Sequence, residues 1–94
     1  MKSAYELAME KLEKSAPSQK LTEAQRAEIA DLDEKFKAKI AERETFLGSQ
    51  IAAARAQGPH GEIEVQELED QLRREVAGLR EDCEAQKEKV RQNS

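Results

Sequence analysis

The sequence is poor in residues that interrupt helices. Four glycines and two prolines are spread over 94 positions, so long stretches run without a breaker. Aromatic residues make up 3% of the chain, which argues against a broad globular core. A single cysteine rules out an internal disulfide and fits a reducing compartment. No apolar run approaches the roughly 20 residues that a bilayer-crossing helix needs. The N-terminus lacks the apolar stretch of a secretory signal, because Lys2, Glu6, Glu10 and Lys11 fall within its first twelve positions. The expected localisation is cytoplasmic.

Basic surface is also scarce. The net charge of −4 divides unevenly: +1 over residues 1–20, −1 over 21–58 and −4 over 59–94. An acidic last third is repelled by phosphate backbones, and no basic stripe with readout or stacking residues is present. Nucleic acid is therefore a poor match as partner. Lys35, Lys37, Lys39 and Arg43 form the densest basic stretch, but Asp33, Glu34, Glu42 and Glu44 surround it, which is the pattern of a solvated face.

The chain is rich in charge arranged around a hydrophobic rhythm. Charged residues are 38%, hydrophobic residues 37%, and the mean hydropathy is −0.90. Disordered chains share such polarity but not the period. With few breakers, this is the profile of a long helix or coiled coil. At this length the chain is one domain at most.

The ends of three helices are legible. Ser3-Ala4-Tyr5-Glu6 reads as a capping box and predicts a short helix over about 4–14. Ser15-Ala16-Pro17-Ser18 breaks it, since a residue before proline is pushed out of the helical region, leaving a linker over 15–22. Thr22-Glu23-Ala24-Gln25 is a second capping box and opens a helix over about 23–57. Gly58-Pro59 ends it, and the turn occupies 58–61. A third helix is expected over about 62–92, with Glu62, Glu64 and Glu67 near its positive end and Lys87, Lys89 and Arg91 near its negative end. The two long helices should each extend roughly 45–55 Å. A four-residue turn leaves room only for antiparallel neighbours.

Spacing makes the case for pairing. The first long helix carries Ile29, Leu32, Phe36, Ile40, Leu47, Ile51 and Ala54, and with Arg43 in the gap the steps read 3-4-4-3-4-4-3. Val65, Leu68, Leu72, Val76, Leu79, Cys83, Lys87 and Val90 repeat the same steps. This is an eleven-residue repeat of about 3.67 residues per turn, so the seam should run nearly straight or slightly right-handed. Folding about the turn pairs residues whose numbers sum to 119, such as Ile51 with Leu68, Leu47 with Leu72 and Phe36 with Cys83. The expected fold is all-α: a long antiparallel, coiled-coil-like hairpin with a short N-terminal helix.

No residue type is grouped for catalysis. Cys83 falls in the seam as a small buried hydrophobe. The only histidine, His60, lies in the turn, about 30 Å or more from it by helical rise, so the two cannot form a nucleophile–base pair. Glu62 and Glu64 near His60 are too few for a zinc site. No carboxylate pair shares a pocket, and a narrow bundle offers little concavity for a small-molecule substrate. The expectation is a protein that is not an enzyme and needs no metal or cofactor. Arg43 and Lys87 interrupt the seam, where they snorkel or set register. Acid-first pairs such as Asp31–Lys35, Glu69–Arg73 and Asp70–Arg74 mark solvated faces.

A lone hairpin covers each seam side chain only in part, and small scaffolds without disulfide or metal draw support from packing or oligomerisation. Tyr5, Met9 and Leu12 give the short helix an apolar face, and Phe46 lies off the seam. Gly48 and Gly78, each costing about 1 kcal/mol in a helix interior, are either tolerated weaknesses or points of close approach for another helix. These six residues form the candidate association surface. A homo-oligomer, preferably a dimer, is expected, with an unidentified protein partner and no membrane. Two other readings are an accessory hairpin on a large assembly such as the ribosome or nucleoid, and a clamp-like chaperone arm holding clients at Ile29, Val90 and the short N-terminal helix.

The stretches Lys2-Ser3-Ala4-Tyr5-Glu6-Leu7-Ala8, Lys20-Leu21-Thr22 and Lys37-Ala38-Lys39-Ile40-Ala41-Glu42 resemble a set of short bacterial coiled-coil hairpin proteins over about the first half of the chain. The resemblance implies a bacterial cytosolic setting and carries no activity with it.

Overall fold

The computed structural model describes residues 3–7 and 21–93. Residues 4–7 are helical. Their start is capped, with the Glu6 N–H donating to Ser3 Oγ at 3.2 Å and the Leu7 N–H to the Ser3 carbonyl at 3.0 Å. The rest of the expected first helix and most of the linker lie outside the described residues, as do Met9 and Leu12.

Helix α1 spans Glu23–Arg55 and helix α2 spans Glu62–Gln92, joined by a short 3-10 turn at Gly58–Gly61. No strand occurs among the described residues. The two helices lie side by side, so the molecule is an all-α hairpin. None of its described helices is long and apolar enough to cross a membrane.

Local chemistry accounts for each end. The α1 capping box is closed on both sides: the Gln25 N–H donates to Thr22 Oγ1 at 3.0 Å and the Thr22 N–H to Gln25 Oε1 at 2.9 Å. At the other end α1 stops two residues before the expected Gln57. The Ala56 N–H still donates to the Ala52 carbonyl, but the Gln57 N–H donates to that of Ala54, tightening the last turn. Gly58 then adopts φ +70°, a left-handed conformation that glycine reaches without steric cost. Gly61 is needed for a different reason. A Cβ there would overlap the Ala54 carbonyl oxygen, because the reversal brings the two backbones together at that point.

The core lies along the seam. Phe36, Leu47, Ile51 and Ala54 of α1 and Cys83 of α2 are buried, with Leu47 only 1% exposed. Ile29, Leu32, Ile40 and Arg43 of α1 are half-buried, as are Val65, Leu68, Leu72, Val76, Leu79, Lys87 and Val90 of α2. Every position of the eleven-residue rhythm is therefore turned at least partly inward. The coverage is unequal, however, since α1 encloses four of its seam side chains and α2 only Cys83.

Candidate functional site

The free end of the hairpin is tied by one side chain. Gln25 is 7% exposed, and its Nε2 donates to the carbonyls of Val90 at 2.9 Å and Asn93 at 3.0 Å. These carbonyls close the C-terminal end of α2, where that of Val90 otherwise receives only the Asn93 N–H at 3.3 Å. Its Oε1 serves the α1 cap, so a single amide completes both helix ends. The sequence marks Gln25 only as a cap. Its place one four-residue step before Ile29 continues the seam rhythm, and that phase is the signal that it points inward.

The seam separates two edges of the hairpin. On the first, Arg43 Nη2 donates to Glu75 Oε2 at 3.1 Å, while Arg43 Nε lies 3.0 Å from Oε1 with its N–H off the line to that oxygen. Gln71 Nε2 donates to the same Glu75 carboxylate at 3.2 Å. The Arg43 guanidinium sits 5.0 Å from the centre of the Phe46 ring, and Lys39 Nζ is 4.9 Å from that of Phe36. Arg43 thus reaches Glu75, next to its expected level partner Val76, and keeps its charge at the rim. Phe46 remains 53% exposed. Gly78 stands three residues after Glu75 and seven after Gln71, so it shares their face.

On the second edge, Lys87 Nζ lies 2.9 Å from Asp33 Oδ1 and 3.5 Å from Glu84 Oε2. Arg91 Nη1 reaches Glu84 at 3.1 Å and Glu88 at 3.0 Å. The hydrogen bond from Lys87 holds the Asp33 carboxyl below its usual value, and the same bond raises the Lys87 ammonium. The hydrogen bond from Arg91, then the Lys87 charge, lower Glu84. Nearer the turn, Arg55 bonds Glu69 at 2.7 Å. Asp70 meets Arg73 rather than Arg74. Glu44, Arg73 and Arg80 flank a shallow groove floored by Leu72 and Val76. Gly48, one turn beyond Glu44, belongs to this edge.

Of the six association candidates, Met9 and Leu12 lie outside the described residues, and the other four are not brought together. Phe46 and Gly78 share the first edge, Gly48 lies on the second, and Tyr5, 73% exposed, belongs to the separate 4–7 turn. Among the described residues, a Cβ at Gly48 or at Gly78 would meet nothing within 4 Å.

Chemically the site is a rod with a half-covered apolar stripe between two charged rims. The Cys83 thiol faces the Leu32 carbonyl at 3.9 Å and Asp33 Oδ1 at 3.8 Å. Burial pushes its pKa up from the usual 9.0, so it stays a protonated thiol at neutral pH. His60 is exposed in the turn. Among the described residues no group of three or more metal-ligating side chains is gathered.

No family model, curated protein or solved structure matches this chain. The functional reading therefore rests on the hairpin itself.

Proposed function

We propose that the chain is a non-enzymatic association module, a cytoplasmic hairpin that self-associates through helical packing and offers its remaining helical surface to a protein partner. The observation carrying this reading is the unequal seam. Val65, Leu68, Leu72, Val76, Leu79 and Val90 of α2 are all left half-buried by α1. Each would contribute roughly 1.5–3 kcal/mol on full burial, and a second pair of helices supplies the missing cover. The closed free end counts against the clamp reading, because the Gln25 clip holds shut the end where a client would enter.

Sedimentation equilibrium of the full chain tests the proposal. A dimer, twice the 10.6 kDa chain mass, is expected at micromolar concentration. A monomer that keeps its helicity up to millimolar concentration would refute self-association.

A further inference from the structure

Of the two edges, one is built to receive a copy of itself. On the first edge α1 presents Lys39, Arg43 and the exposed ring of Phe46, while α2 presents Gln71, Glu75, Gly78 and, seven residues after Glu75, Asp82. One helix offers a protruding aromatic and, in Lys39, a cation in no ion pair among the described residues. The other offers a residue without a side chain and, in Asp82, a carboxylate in no ion pair among the described residues, while Arg43 and Glu75 engage each other within the chain. We propose that this edge is the dimer interface, with two hairpins stacked about a two-fold axis parallel to the helices so that α1 of one copy lies on α2 of the other. The assignment rests on the self-association reading above and adds the surface and register to it.

The geometry follows from the hairpin's own numbering. A two-fold axis along the helices leaves heights unchanged, so residues summing to about 119 stay level between copies. Lys39 then stands beside Asp82 of the second copy. Phe46 stands level with residue 73, and helical side chains lean toward their own N-terminus, which carries its ring toward Glu75 and Gly78. Gln71, Arg74, Glu75 and Gly78 have the i, i+3, i+4, i+7 spacing of a knobs-into-holes socket. The absent side chain at Gly78, with nothing within 4 Å of a Cβ position, keeps that socket open. Glu28 and Lys89, which flank the groove floored by Leu32 and Val90 near the free end, face each other between copies in the same register. All neighbouring helices of the resulting four-helix bundle are antiparallel, which suits their dipoles. The second edge offers less. Its Asp33, Glu84 and Glu69 are already engaged by Lys87, Arg91 and Arg55 within the chain, and it carries no exposed aromatic.

Five variants of the full chain test the surface by sedimentation equilibrium, with circular dichroism as the folding control. Phe46→Ala is expected to raise the dimer dissociation constant about tenfold or more. Gly78→Leu fills the socket and should do the same while helicity is kept, since inside one chain the new side chain points into open space. Gly48→Ala, on the other edge, leaves the constant unchanged. Lys39→Glu weakens the dimer, and adding Asp82→Lys restores it because each copy then carries both reversed charges. If the wild type is a monomer throughout, both the surface and the self-association reading fail. If it is a dimer whose constant is unmoved by Phe46→Ala and Gly78→Leu, only the surface fails.

Discussion

At the scale of single residues, glycines of similar appearance in sequence do opposite work. Gly61 is required by the Ala54 carbonyl that crowds it, whereas Gly48 has open space around it. Urea denaturation should therefore show Gly61→Ala strongly destabilised and Gly48→Ala stabilised by about 0.5–1 kcal/mol. No helical wheel separates them, because the crowding comes from the backbone of the turn. Asp33 was equally illegible, lying one position past Leu32 and marked by no rhythm, yet it receives Lys87. Its carboxyl is held below 3.8 in the folded chain, so the unfolded chain binds that proton more readily. The stabilisation is present above this value and is lost as pH falls through the lower folded one. Lys87, raised above 10.5, gives the reverse: its contribution holds below that pH and fades as pH rises through the folded value. Asp33→Asn should remove the loss of stability that sets in as pH falls below about 4, seen as a flatter dependence of the urea midpoint on pH. Cys83, buried and protonated, should react with a thiol reagent no faster than the chain unfolds. Fast, pH-dependent labelling of the native protein would contradict its placement.

At the scale of elements, the fold was legible because helix ends and seam are both written in local spacing. Thr22 with Gln25, Gly58 with Pro59, and the shared 3-4-4 steps all point to one hairpin. What spacing did not reveal was which helix is better enclosed. Leu47 and Phe36 are buried while Leu72 and Leu79 are not, since two rods touch along a line and coverage then depends on side-chain lean across it. Leu47→Ala should accordingly cost about 3 kcal/mol, a large part of a small domain's stability. Gln25 governs the free end instead. Gln25→Leu removes the side-chain donor from the Val90 and Asn93 carbonyls, at roughly 1–3 kcal/mol. Hydrogen exchange should show α2 opening first in its last turns, with the segment around Leu72 still protected. Uniform loss of protection along both helices would mean that Gln25 is no local clip.

At the scale of the whole molecule, the hairpin is a long object with little interior. The ion pairs along its rims are mostly exposed and individually weak, so the main drive to association is the half-covered stripe along α2. The candidate surface was only partly legible in sequence: Phe46 and Gly78 belong together, but Gly48 is directed elsewhere, and only the placement of Arg43 against Glu75 reveals which residues share an edge. The central claim is that one hairpin leaves apolar surface that a second copy covers. Its most direct test is the thermal midpoint of the wild-type chain, followed by circular dichroism over a hundredfold range of protein concentration. Dimerisation links folding to mass action, so the midpoint should climb steadily with concentration. A midpoint that stays constant across the whole range would contradict the account.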